Sequence, residues 1–160
     1  MSDPGPAFRV VSPAFADGGP LPPDCTGRGA DRSPELRLPG LSSAAASLAV
    51  VMDDLDVPLR GVLNHWVIWD LPAGPVIPAA IPAGAELPSG ARQGAGYGVH
   101  RYAGPKIPRF LRGTHRYRFT VYALDCRLSL PADSDKRALL RAMEGHILQS
   151  ASITGTHRNA

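Results

Sequence analysis

Residues 47–71 read SLAVVMDDLDVPLRGVLNHWVIWDL, and this stretch decides the fold. Ser47–Asp54 is short, apolar and β-branched in its middle, which is the pattern of a buried strand. Asp54–Arg60 (DLDVPLR) reads as a turn, with Pro58 inside it. Val62–Leu71 is rich in Val, Ile and Trp and predicts a second strand. A third stretch, His115–Leu124 (HRYRFTVYAL), repeats the signature.

Side chains alternate across a strand, so residues two apart share a face. Leu48, Val50 and Met52 therefore share a face with Asp54. Val67 and Trp69 are expected to share one with His65. Phe119, Val121 and Ala123 share one with Tyr117 and His115. Each apolar row runs into a polar, titratable group at one end. If the strands are antiparallel neighbours, Asp54, His65, His115 and Tyr117 meet at the same end of a sheet. Each residue alone has a plain structural reading: a turn former, two core histidines, a core tyrosine. Their convergence points to a small-ligand pocket. A carboxylate there is expected to hold an imidazole protonated, and the imidazole and phenol then offer donors to an anion.

The rest of the chain is heavily punctuated. Gly and Pro number 17 each, which favours many short strands joined by turns. Residues 1–10 read as a loose lead-in to a single domain over 11–160, although Phe8–Val11 has strand character. Ser12–Pro34, Pro72–Gly98 and Arg101–Gly113 read as loops, the second long enough to rim a site. Asp135–Gln149 predicts a C-terminal helix whose apolar stripe is Leu139, Leu140, Met143, Ile147 and Leu148. Ser150–Thr156 predicts a last short strand.

Several function classes find no support. The net charge is +3, but the arginines are scattered, so no nucleic-acid partner is expected. No apolar run is long enough to cross a bilayer and no signal peptide is apparent; a cytoplasmic protein is expected. Cys25 reads as a loop residue and Cys126 as a buried small one, with no metal-ligand spacing around either. The nucleophile elbow, the phosphate loop and the H-E-x-x-H zinc motif are all missing. Gly94, Gly96 and Gly98 lack the following helix of a dinucleotide cradle. No cofactor and no metal are expected. His100, His146 and His157 lack supporting neighbours, and His146 is placed on the helix.

The segments SPAF (Ser12–Phe15), DRSPEL (Asp31–Leu36), SLAVVMDDLDVP, NHWVIWDLP, YAGPKIP (Tyr102–Pro108), GTHRYRFTVYALD and GHILQSASITG occur in this order. Together they resemble the phosphatidylethanolamine-binding protein family, closest to its bacterial, Raf kinase inhibitor-like branch. The resemblance covers nearly the whole chain. It implies a mainly β sandwich of two antiparallel sheets with an anion pocket for phosphate-like or carboxylate groups, phospholipid head groups included. It assigns to that pocket Asp54 and Pro58, His65, Gly104 and Pro105, and His115 and Tyr117. It also implies a homodimer.

The chain departs from the family pattern at Leu55 and at Ile107–Pro108. It also departs in the basic and apolar loop Arg109–Arg112. Ile107, Phe110 and Leu111 are therefore placed on the pocket rim, where the Phe110–Leu111 pair contacts a larger ligand or simply fills the loop. The expected function is the binding of a small anionic ligand. An enzyme using the same four residues for acid–base chemistry is the alternative. A kinase partner has no motif here to support it.

Overall fold

A computed structural model describes residues 5–159. The core is a five-stranded antiparallel sheet in the order β5-β3-β2-β6-β7. It comprises β2 (Ser47–Val57), β3 (Gly61–Pro72), β5 (Arg92–Gln93), β6 (Gly113–Leu124) and β7 (Ile147–Asn159). A second, two-stranded antiparallel sheet pairs β1 (Leu36–Arg37) with β4 (Val76–Ile77). The protein is mainly β, as its alternation patterns predict.

β2 is central, and all eight residues of Ser47–Asp54 are buried. Leu48, Val50 and Met52 face the larger apolar cluster, together with Leu36, Ile77 and Phe119. Ala49 and Val51 face a smaller cluster with Val67, Trp69, Leu139 and Met143 beneath the helix. A strand covered on both faces reads as a continuous apolar run, as this one does.

The C-terminal half differs from expectation. The helix, α1, spans only Lys136–Met143. Asp135 caps its start, the carboxylate accepting from the Ala138 amide at 2.9 Å. Gly145, at φ +80°, ends it. Ile147 and Leu148, expected on the helical stripe, instead open the long strand β7 and are more than 40 % exposed. His146 lies in the turn between α1 and β7, not on the helix. Helical spacing continued past Gly145 by coincidence; the glycine was the stronger signal.

The turn after β2 is also shorter than expected, because the strand runs on to Val57. Phe8 and Val10, placed by sequence in the lead-in, pack on the larger cluster. The Arg9 and Val11 amides donate to Pro39 and Arg37 carbonyls. The cysteines exchange their expected roles: Cys25 is buried and Cys126 half-buried, both free. In the long loop, Gln93 is fully buried. Its amide donates to the carbonyls of Pro82, Gly84 and His100, and its oxygen accepts from the Trp66 indole. This hub organises a segment that has little secondary structure of its own.

Candidate functional site

The registers bring the titratable ends together. β2 and β6 are antiparallel with Asp54 opposite Tyr117. β2 and β3 are antiparallel, with Asp54 opposite Leu63 and Met52 opposite Trp66. Between those pairs Asp53 faces Asn64, so His65 is an extra residue on β3.

This bulge corrects the expected face of His65. Val67 and Trp69 lie under the helix. His65 is re-aimed to the opposite side, beside Trp66. Its ring meets Tyr117 edge-on with centroids 5.4 Å apart. Strict alternation would have carried His65 away from Asp54; one inserted residue brings it back.

A cavity of about 200 Å³ opens at this end of the sheet. Asp54, Pro58, His65, His115 and Tyr117 line it, with Ile107 and Leu111 from the rim. Other expected residues do not. The Gly104 amide donates to Asp31 Oδ1 at 2.7 Å, and a Cβ at Gly104 would collide with the Cys25 carbonyl. The Pro105 carbonyl accepts from the Gly27 amide. These two residues support the wall rather than form its surface. Phe110 is 82 % exposed and is not among the residues that line the cavity. Ile107 is buried, and the Arg28 guanidinium holds its carbonyl at 2.6 Å.

The hydrogen bonds within the pocket are specific. Asp54 Oδ2 accepts from His115 Nδ1 at 2.8 Å. Asp54 Oδ1 accepts from the Asp56 amide at 2.9 Å, a local turn that fixes the carboxylate. His65 Nδ1 donates to the Ala103 carbonyl at 2.8 Å, because a carbonyl can only accept. Both imidazoles thus use Nδ1 on the protein, and among the described residues neither Nε2 has a protein partner.

Electrostatics separate the roles. Burial lowers the pKa of His65, outweighing the bond to Ala103 and the charge of Asp54. The Asp54 charge does push the His65 imidazole upward, as expected of a nearby carboxylate, but the net direction is down. Its burial is the larger effect. Burial, with the charge of Asp54 and a hydrogen bond to it, holds the Tyr117 phenol far above its ordinary value. Tyr117 remains a neutral hydroxyl.

Sequence reasoning missed part of the lining: Val57, Leu63, Tyr97 and Lys106. The Tyr97 ring lies 4.9 Å from that of His65. Its loop is laid along β3 by amides of Tyr97 and Gly98 donating to the carbonyls of Asn64 and His65. The available signal was an aromatic set among three alternating glycines, a loop that can approach backbone closely. Lys106 supplies the cation of the lining.

A mainly β domain with a largely apolar cavity holding a few titratable side chains at the end of its sheet is a ligand-binding architecture. The family model described as Phosphatidylethanolamine-binding protein matches residues 11–158, and the chain belongs to that family. A UPF0098 protein of Methanothermobacter thermautotrophicus is 40% identical over 153 residues, covering 94% of this chain and 99% of the relative. One from Pyrococcus horikoshii is 37% identical over 150 residues, covering 92% and 75%. The structure of a phosphatidylethanolamine-binding protein homologue of Chlamydia trachomatis superposes with TM-score 0.83 at 31% identity, covering 96% and 99%. E. coli YbcL superposes with TM-score 0.83 at 26% identity, over the same shares. Relatives thus come from archaea as well as bacteria.

Proposed function

We propose that this protein binds a small anion, namely a phosphate, a phosphorylated head group or a carboxylate, in the cavity between Asp54, His65, His115 and Tyr117. One observation carries the reading: both imidazoles spend Nδ1 on the protein and line the same cavity. Nε2 of His65 and of His115 are then available to a ligand, with Lys106 as the compensating charge, while the Tyr117 hydroxyl is shared with Asp54. Asp54 does not contact the anion as a donor; it orients His115. The aromatic rings of Tyr97 and Tyr117 and the side chains of Ile107 and Leu111 suit the carbon body attached to such a group.

Calorimetric titration with phosphate, phosphoethanolamine and acetate tests this. Binding of at least one is expected, weakened tenfold or more by His115→Ala and by Asp54→Ala in variants with an unchanged circular dichroism spectrum. Absence of binding to all three in the wild type would remove the reading.

A second reading rests on the neutral state of His65. An imidazole whose pKa is lowered by burial, with Nδ1 tied back, presents Nε2 as a base beside a protonated phenol. That pair suits proton transfer or cyclisation of a small substrate. Turnover of a candidate substrate that is lost in His65→Gln, while binding persists, separates this reading from simple binding.

A further inference from the structure

The end of the sheet opposite the cavity carries a second cluster. Asp125 and Cys126 follow β6, and His146 precedes β7. One ligating atom from each, a carboxylate oxygen, a sulfur and an imidazole nitrogen, all lie within 4.8 Å of one another. Sequence spacing hid this grouping, because nineteen residues, including α1, lie between Cys126 and His146.

The backbone holds the three residues in place. The Asp125 amide donates to the His146 carbonyl at 3.0 Å. The His146 amide donates to the Met143 carbonyl at 2.9 Å, in the turn made by Gly145. The Ser47 hydroxyl donates to the Cys126 carbonyl at 2.6 Å. A register shift at the last pairs of β6 and β7 ends the ladder there. Three elements thus fix the cluster: β2, β6 and the α1–β7 turn.

We propose that Asp125, Cys126 and His146 form a three-ligand site for a borderline divalent cation, zinc being the best match. Around tetrahedral zinc, ligands at about 2.0–2.3 Å stand about 3.3–3.8 Å from each other. His146 Nδ1 and Asp125 Oδ1 are already 2.9 Å apart, joined by a hydrogen bond. The ion takes the place of that bridging proton. On binding, the imidazole proton moves to Nε2 and the thiol proton passes to solvent, so both donors present a lone pair. One oxygen, one sulfur and one nitrogen donor suit zinc or cobalt better than magnesium or calcium, which require oxygen shells. The His146 and Asp125 side chains are 46% and 44% exposed, which leaves a fourth position for water. Such an ion ties the exit of β6 to the entry of β7.

Cobalt(II) titration of the reduced protein is the test, with zinc competition and thermal melts in zinc and in chelator. A thiolate-to-cobalt charge-transfer band displaced by zinc is expected. It persists in Cys25→Ser, disappears in Cys126→Ser and needs at least tenfold more cobalt in His146→Asn. Zinc raises the melting temperature of the wild type and not of Cys126→Ser. Circular dichroism verifies that each variant folds. A wild type without a band overturns the proposal. So does a band that survives Cys126→Ser, or one that follows His65→Gln instead.

Discussion

His65 sets two physical effects against each other. Its imidazole faces the charge of Asp54, yet burial lowers its pKa. The free cavity therefore holds it neutral at pH 7, and an incoming anion favours the protonated form. The proposed anion binding would then take up a proton, so affinity is expected to rise as pH falls toward and below the ordinary histidine value of about 6.5. Sulfate stays a dianion across this range and is the suitable probe. Its calorimetric Kd is expected to fall between pH 7.5 and 5.5, by at most about tenfold per unit for one coupled proton. The dependence shrinks in His65→Gln. Without ligand the sign reverses. The unfolded chain takes the proton first, so the His65 contribution to stability is lost as pH falls through about 6.5. Denaturant midpoints at pH 7.5 and 5.5 should differ more in the wild type than in His65→Gln. Phe110 is the contrasting residue. It stands outside the lining and is 82 % exposed, so Phe110→Ser should leave the phosphate Kd within about twofold, as surface changes normally do. A larger loss in calorimetry would mean that the rim loop closes over the ligand.

The helix shows which parts of an element a sequence carries. Its apolar face was legible at Leu139 and Met143, which are buried as their spacing predicts. Its end was not, because Ile147 and Leu148 continue the helical count although Gly145 has already turned the chain. What ties this short helix to the sheet was also hidden. Lys136 Nζ donates to Asp53 Oδ2 at 2.7 Å. Asp53 is buried, and its other oxygen accepts from Asn64 at 3.1 Å. Lys136 is 83 residues away from it in the chain, and no local pattern connects them. The pair lies where β2 passes under α1, with the lysine side chain 28% exposed. Lys136→Met leaves the Asp53 charge buried with only the Asn64 bond. It should destabilise the fold by about 2–4 kcal/mol, read as a lower urea midpoint at unchanged slope. Asp53→Asn, Lys136→Met together should cost less than the sum of the two single changes, because the first removes the stranded charge.

Across the whole molecule, the strands were legible and the joints were not. Ser47–Asp54, Val62–Leu71 and His115–Leu124 announce themselves because apolar, β-branched residues dominate them, and the sheet is built from them. The pocket was legible as a convergence of Asp54, His65, His115 and Tyr117, but the reason for His65 was wrong. Alternation ignores bulges, and only the pairing of Asn64 with Asp53 reveals one. Tyr97 and Lys106 escaped because they sit on loops whose path depends on tertiary hydrogen bonds. The cluster at Asp125, Cys126 and His146 escaped for the same reason. These two sites lie at opposite ends of β6, which carries His115 at its start and leads directly into Asp125. Ten residues at about 3.3 Å each separate them by roughly 33 Å, several times the screening length of about 8 Å at physiological salt. Direct electrostatic coupling is therefore negligible, and the stabilisations should add. At one hundred times its Kd a ligand adds about 2.7 kcal/mol, or about 5–10 °C for a domain of this size. Thermal melts with sulfate, with zinc and with both should show the combined shift equal to the sum within about 0.5 kcal/mol. A larger departure would show that the two ends communicate through β6, and hydrogen exchange along Gly113–Leu124 would then locate where.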